Sequence, residues 1–192
     1  QSDRPSLGPR DGMISASSWR AVKTKSGAGA MAQEIERKFL VTDLSWRQRA
    51  QGTLYRQGYM PTQNQTTVRV RVVGDRGYLT IKGPTSGVSR QEFEYPIPLA
   101  DAETLLADLC APPLIEKWRY RINVGSHLWE VDEFLGDNAG LILAEVELSS
   151  ETEAFNLPPW AGLEVSEDPR YYNANLAKHP YRSWVRSDME QG

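Results

Sequence analysis

The sequence predicts a predominantly β, α+β protein: a closed antiparallel barrel or sandwich with a few peripheral helices. Three observations predict it. Eight segments alternate apolar and polar residues with the period of two that a strand imposes. Turn residues, as in Gly74-Asp75-Arg76-Gly77 and Gly125-Ser126, separate several of them at short spacing. Helix signals are few and short.

The first strand is expected over Glu34–Val41, with Glu34, Glu36 and Lys38 on one face and Ile35, Arg37 and Phe39 on the other. Asp43 is placed to cap a short helix through Trp46 and Arg49, ending near Gly52. Leu54–Met60 reads as a second strand, broken at Pro61. Thr66–Val73 sets Val68, Val70 and Val72 against Arg69 and Arg71. Tyr78–Lys82 follows, with Leu79 and Ile81 opposite Thr80 and Lys82, and Gly83 to Gly87 turns the chain. Arg90–Ile97 places Glu92 and Glu94 against Phe93, Tyr95 and Ile97.

Asp101 is expected to cap a helix carrying Leu105, Leu106 and Leu109, closed by Pro112-Pro113. Ile115–Val124 sets Lys117, Arg119 and Arg121 opposite Trp118, Tyr120 and Ile122. The strands His127–Phe134 and Leu141–Leu148 carry Glu130 and Asp132, then Glu145 and Glu147. Past Ser149 the regular series ends. Asp168-Pro169 begins a last helix bearing Tyr171, Tyr172 and Leu176.

Composition bounds the chemistry. The 192 residues suffice for one domain with a sizeable core. A formal net charge of −3 argues against a generic nucleic-acid coat, so no duplex nucleic acid is expected as a partner. Cys110 is alone and His127 and His179 are the only histidines, so any metal must be held mainly by oxygen. Both histidines are expected at the surface, and Cys110 buried and inert. No apolar run approaches the ~18 residues of a membrane span; no membrane partner is expected, and the expected compartment is the cytoplasm. Residues 1–30, rich in Ser, Gly, Arg and Lys, read as a flexible leader outside the fold, followed by one domain over 31–186 and a tail over 187–192.

The charged rows carry the functional argument. Acids recur as i, i+2 doublets at Glu34/Glu36, Glu92/Glu94, Glu130/Asp132 and Glu145/Glu147. Bases recur at Arg69/Arg71 and Lys117/Arg119/Arg121, with Lys38 and Lys82 besides. A solvated sheet face also alternates, and period alone cannot say which face is inside. Three features favour an interior row. The polar face is dominated by like-signed doublets rather than Ser, Thr, Asn and Gln. Such doublets are unfavourable without opposite charge nearby. Both signs recur strand after strand. A lumen so lined needs a polyanion with its cations: Arg and Lys for phosphate oxygens, carboxylates for hard metals. The apolar faces, with Trp118, Tyr120 and Trp129, would then lie outside under helices, while Arg37 and Glu133 fall on the wrong parity for the lumen.

The order of motifs resembles the CYTH superfamily, the triphosphate tunnel metalloenzymes. The likeness rests on Glu34-Ile-Glu36-Arg-Lys38-Phe-Leu-Val, Thr67-Val-Arg69-Val-Arg71, Leu79-Thr-Ile-Lys82-Gly83 and Glu92-Phe-Glu94-Tyr-Pro96. It continues through Glu116-Lys117-Trp-Arg119-Tyr-Arg121, Trp129-Glu130-Val-Asp132-Glu-Phe134 and Ala144-Glu145-Val-Glu147-Leu148. The resemblance implies an eight-stranded antiparallel β-barrel forming a polar tunnel, and a triphosphatase using Mg²⁺ or Mn²⁺. It implies that Arg69, Arg71, Lys82, Arg119 and Arg121 grip phosphates, with Lys38 and Lys117 close to the reaction. Glu145 and Glu147 would hold one metal. Glu34, Glu36 and Asp132 would serve a second metal and the attacking water, and Glu92, Glu94 and Glu130 would complete the acidic lining. Tyr59 is read as a packed aromatic or a cap on the tunnel.

The substrate implied is a small triphosphate, inorganic tripolyphosphate first, because no added segment is seen to read a base or sugar. An adenylate cyclase and a non-catalytic polyphosphate binder are the alternatives. The assembly is left open between monomer and homodimer.

Overall fold

The computed structural model describes residues 35–63, 65–83 and 92–184. The proposed leader, Glu34, most of the turn after Gly83 and the 187–192 tail lie outside the described residues.

Nine antiparallel strands form a single sheet. They are β1 (Ile35–Val41), β2 (Thr53–Met60), β3 (Thr67–Val73), β4 (Arg76–Lys82) and β5 (Glu92–Ile97). After helix α1 (Leu99–Asp108) come β6 (Ala111–Val124), β7 (His127–Phe134), β8 (Ile142–Leu148) and β9 (Ala161–Glu164). Their hydrogen-bonded order is β5-β4-β3-β2-β6-β7-β8-β1-β9. All eight expected strands are present. The ninth is short, and pairs with β1 through Phe39 opposite Glu164 and Val41 opposite Ala161. The ladder is open at β5 and β9, yet residues of β5 and β1 line one cavity, so the sheet curls its charged face inward.

The hairpins follow from their turn residues. Gly74 and Gly125 adopt φ of 57° and 61°, a region that favours glycine, between β3 and β4 and between β6 and β7. Helix α1 starts after Pro98, with Asp101 in its first turn rather than at its cap. Pro112 and Pro113 belong to the start of β6, so the helix ends earlier than its apolar run suggested. Asp43 accepts from the Ser45 amide at 2.8 Å in a local turn, and only a 3-10 turn forms at Arg47–Arg49. The last helical stretch divides into a 3-10 turn at Pro169–Tyr171, capped by Asp168, and a short α2 at Asn173–Leu176.

Three apolar clusters surround the charged interior. Against the outer face of β3 and β4, α1 packs Ala102 and Leu106, with Cys110 just beyond its end, on Val70 and Val72. A Cβ at Gly77 would fall 2.6 Å from that of Ala102, so the glycine permits this approach. A second outer cluster joins Phe39, Trp129, Val131 and Val146 to Trp46 and Trp160, both fully buried. Burial of aromatics on this scale contributes much of the stability of such a domain. The third cluster lies on the inner face. Ile115, Phe134 and Leu143 share the parity of Lys117, Asp132 and Glu145, and pack under Val165, Leu176, Tyr171 and Trp184. The inner face therefore turns from ionic to apolar towards one end, where the C-terminal segment closes it.

Candidate active site

Direct cross-strand pairs share a sheet face, and the registers set the charged rows side by side. Arg121, Glu130, Glu145 and Lys38 form one row across β6, β7, β8 and β1. Tyr59, Arg69, Thr80 and Glu94 form another across β2, β3, β4 and β5. These rows border a cavity of about 890 Å³. Lys38, Arg69, Arg71, Lys82 and Arg119 supply its positive lining. Glu36, Glu92, Glu94, Glu130, Glu145 and Glu147 supply its negative lining.

On the β6–β7–β8–β1 side, cations and carboxylates are interlocked. Arg119 donates to Asp132 through Nε at 2.6 Å and Nη2 at 2.5 Å, to Glu145 at 2.9 Å, and to Glu130. Lys38 reaches Glu145 at 2.6 Å and also pairs with Glu36. Burial raises the pKa of Glu36, and the neighbouring Glu145 carboxylate adds to the rise against the pull of Lys38. Burial disfavours the charge on Lys38, but Glu145 and Glu36 outweigh it and its pKa is raised. Arg119 is likewise held cationic: burial opposes its charge, but Asp132, Glu145 and Glu130 together outweigh it.

Asp132 is fully buried and donates no oxygen to the cavity: Lys117 holds Oδ2 at 2.5 Å, and Arg119 takes both oxygens. Those two cations overcome burial and hold its pKa below the usual carboxylate range. The expected metal role for Asp132 is thus at odds with its geometry, which makes it the anchor of Lys117 and Arg119. Lys117 lies beneath the lining, its Nζ 5.2 Å from the Phe134 ring centre and 3.3 Å from Asn173 Oδ1. Burial lowers its pKa.

The β2–β3–β4–β5 side is less compensated. Arg69 Nη2 donates to Thr80 at 3.0 Å and Glu94 at 3.2 Å, while its buried Nε has no hydrogen-bond partner. Lys82 pairs with Glu92 at 3.0 Å. Arg71 donates Nε to the amide oxygen of Gln57 at 3.2 Å. Among the described residues it makes no salt bridge. Burial, with Arg69 and Arg119 nearby, lowers its pKa to about 10. Gln57, Tyr55 and Tyr59 are site residues that the charge pattern did not mark. Tyr55 lies 5.8 and 5.3 Å below the Arg71 and Arg119 guanidiniums. The alternation Tyr55-x-Gln57-x-Tyr59 was the available signal.

Other expected positions separate. Arg121 has 61% of its side chain exposed and pairs with Glu130 outside the lining. Arg37 and Glu133 make ion pairs with Glu164 and Arg47, outside the cavity as their parity requires. His127 is not a free surface residue: it is 11% exposed, lines the cavity and contacts Glu153 at 2.9 Å. His179 is exposed and Cys110 is buried as expected.

A hard cation suits this donor set. Glu36, Glu145 and Glu147 converge on one cavity, and Glu36 is destabilised as an anion by burial and then by Glu145. No three acidic, His or Cys side chains among the described residues form a ready metal cage.

The curled antiparallel sheet with a two-signed lumen defines a tunnel-type fold. The CYTH domain family profile matches residues 32–181, and the chain belongs to that family. An inorganic triphosphatase of Acetivibrio thermocellus is 50% identical over 154 residues, covering 80% of this chain and 99% of its own length. An inorganic triphosphatase of Nitrosomonas europaea is 40% identical over 152 residues, covering 75% and 96%. A crystal structure of an inorganic triphosphatase matches with a TM-score of 0.58 at 37% identity, covering 78% of this chain and 97% of that one. No helix among the described residues is long and apolar enough to cross a membrane.

Proposed function

We propose that this chain is a divalent-metal-dependent triphosphatase that releases phosphate from inorganic tripolyphosphate. One observation carries the reading: half-buried arginines with few carboxylate partners face a carboxylate-lined wall across one cavity. A bare lumen of this kind is costly, and a polyphosphate with its cation matches both walls. The names of the two relatives support the same substrate.

Arg69, Arg71, Lys82 and Arg119 bind phosphate oxygens by charge-assisted hydrogen bonds. Glu145, Glu147 and Glu36, with Glu34 two residues before Glu36, would hold the metal, Mg²⁺ or Mn²⁺. A divalent metal held there would supply a more acidic bound water and offset phosphate charge, so no catalytic His is required. Lys38 keeps Glu36 and Glu145 apart and oriented. Lys117, buried beneath the lining and paired with Asp132, acts on the phosphate only indirectly, by holding the carboxylate that positions Arg119. Glu92, Glu94 and Glu130 keep Lys82, Arg69 and Arg119 extended. Arg121 meets substrate only at the rim. Residues 31–186 are read as the working domain, in the cytoplasm, with residues 1–30 outside it.

The test is phosphate release with Mg²⁺ or Mn²⁺ from tripolyphosphate, ATP, thiamine triphosphate and RNA 5′-triphosphate side by side, with cyclic AMP measured in the ATP arm. Tripolyphosphate is expected to be turned over fastest, with complete loss in EDTA. Absence of tripolyphosphate turnover at any metal concentration refutes the reading, and cyclic AMP formation assigns the cyclase instead. Glu145→Gln is expected to cut turnover by about a hundredfold or more, beyond the ~10–100-fold typical of losing a group that supports a metal.

A further inference from the structure

The cavity contains a guanidinium whose partner is neutral where an acid would also fit. Lys38 pairs with Glu36 and Glu145, Arg69 with Glu94, Lys82 with Glu92, and Arg119 with three carboxylates. Arg71 instead meets the side-chain oxygen of Gln57. Gln57 is fully buried, stands directly opposite Arg71 across the β2–β3 ladder, and spends its amide nitrogen on the Tyr59 hydroxyl at 3.0 Å. Both ends of the amide are thereby used: one accepts from Arg71 and the other donates to Tyr59. A neutral acceptor orients a guanidinium without cancelling its charge, whereas a carboxylate at the same position would do both.

We propose that Gln57 is a positioning residue for anion binding, holding Arg71 by its Nε so that the rest of the guanidinium keeps an uncompensated charge for the substrate's phosphate. This rests on the reading of the cavity as a polyphosphate site. Gln57 touches no phosphate itself. It acts through Arg71, and through Tyr59 it ties that arginine to the β2 edge of the cavity. The stacking of Arg71 above Tyr55 fixes the guanidinium plane from a second direction. Burial, with Arg69 and Arg119 nearby, lowers the Arg71 pKa to about 10 against the weaker pull of Glu94.

Gln57→Glu changes one atom and supplies the missing carboxylate. In the full chain it is expected to raise the KM for tripolyphosphate about tenfold or more, the size of one lost charge-assisted contact, with a smaller change in kcat. Binding of tripolyphosphate in EDTA, read as a ligand-induced rise in melting temperature, is expected to shrink in parallel, while the ligand-free melting temperature stays level or rises. Gln57→Met removes the acceptor without adding charge, and is expected to lower kcat/KM while keeping more of the tripolyphosphate-induced shift than Gln57→Glu. A role confined to folding predicts the reverse for Gln57→Glu: a lower ligand-free melting temperature with an unchanged KM and an unchanged ligand-induced shift. That result overturns the inference. Should Gln57→Glu not fold, a wild-type KM in Gln57→Met overturns it. Wild-type protein that binds tripolyphosphate without cleaving it refutes the triphosphatase reading alone, and the binding arm still decides the role of Gln57. Wild-type protein that neither binds nor cleaves it refutes both.

Discussion

The two walls of the cavity are built from the same residue types and behave differently. On the β6–β7–β8–β1 wall each cation is matched: Arg119 by Asp132, Glu130 and Glu145, Lys117 by Asp132, and Lys38 by Glu36 and Glu145. On the β2–β3 wall Arg69 shares a single Glu94 oxygen with Thr80, and Arg71 has an amide. The first wall holds its shape without a ligand because its charges answer one another. The second wall holds a surplus that only an incoming anion can answer. Identical substitutions should therefore cost stability on one wall and affinity on the other.

The largest expected effect is on the matched wall. Asp132→Ala strips the acid from two buried cations at once and should lower unfolding free energy by about 3–5 kcal/mol, the usual cost of breaking a buried pair from one side. Urea denaturation followed by tryptophan fluorescence measures it. A loss below about 1 kcal/mol would mean that the wall is hydrated and that the two walls do not differ in this way.

Arg71→Ala comes next and tests the opposite wall. Removing an under-compensated buried cation should leave stability within about 1 kcal/mol of the parent, since the lost hydrogen bond to Gln57 is offset by relief of repulsion from Arg69 and Arg119. Tripolyphosphate affinity should fall by roughly 30–100-fold, or about 2–3 kcal/mol. Calorimetric titration of both variants separates the walls. Equal losses of stability in Asp132→Ala and Arg71→Ala would erase the distinction.

How far this contrast could be read from the chain depends on what period-2 patterning encodes. Alternation located eight strands and put Arg69, Arg71, Lys82, Arg119 and Glu145 on one face, because parity is a local property of a strand. It could not find β9, whose four residues pair with β1 only because the preceding segment brings them there. Nor could it tell that the inner face becomes apolar at Ile115, Phe134 and Leu143, since parity does not say what the far end of a face packs against. Asp132 looked like any other acid until its neighbours were known, and Arg121 looked like Arg119. Depth along the lumen, which separates them, is set by register between strands. Gln57 was invisible because an uncharged residue in a charged row carries meaning only beside Arg71.

Acid sharpens the comparison further. Lys117 and Arg119 depress the Asp132 pKa from the ordinary 3.8 to about 2, so the folded state holds the ionised form more firmly than the unfolded chain does. Its contribution is present above pH ~4 and is lost as pH falls through the folded value, an effect of about 2 kcal/mol. Glu36 acts in the other direction. Its raised pKa means that the folded state binds a proton more readily, so its share of stability declines as pH rises through that value. Stability measured from pH 6 down to 2 should therefore drop most steeply at the acid end, and Asp132→Asn should flatten that limb. An unaltered limb in Asp132→Asn would place the titrating carboxylate elsewhere.

The smallest expected effect supplies the reference for both walls. Arg37 and Glu164 form an ion pair outside the cavity, joining β1 to β9, with 36% and 35% of their side chains exposed. Their chemistry equals that of Arg119 and Glu145, but water screens them. Glu164→Gln should cost no more than about 0.5–1 kcal/mol, and less in 0.5 M salt. If it cost several kcal/mol, solvent exposure would not be what separates strong from weak ion pairs in this sheet. The matched wall would then owe its stability to strand pairing, and the difference between the walls would be one of register. If the cost is small, the same guanidinium–carboxylate contact has been measured in water and in the lumen, and burial alone accounts for the gap.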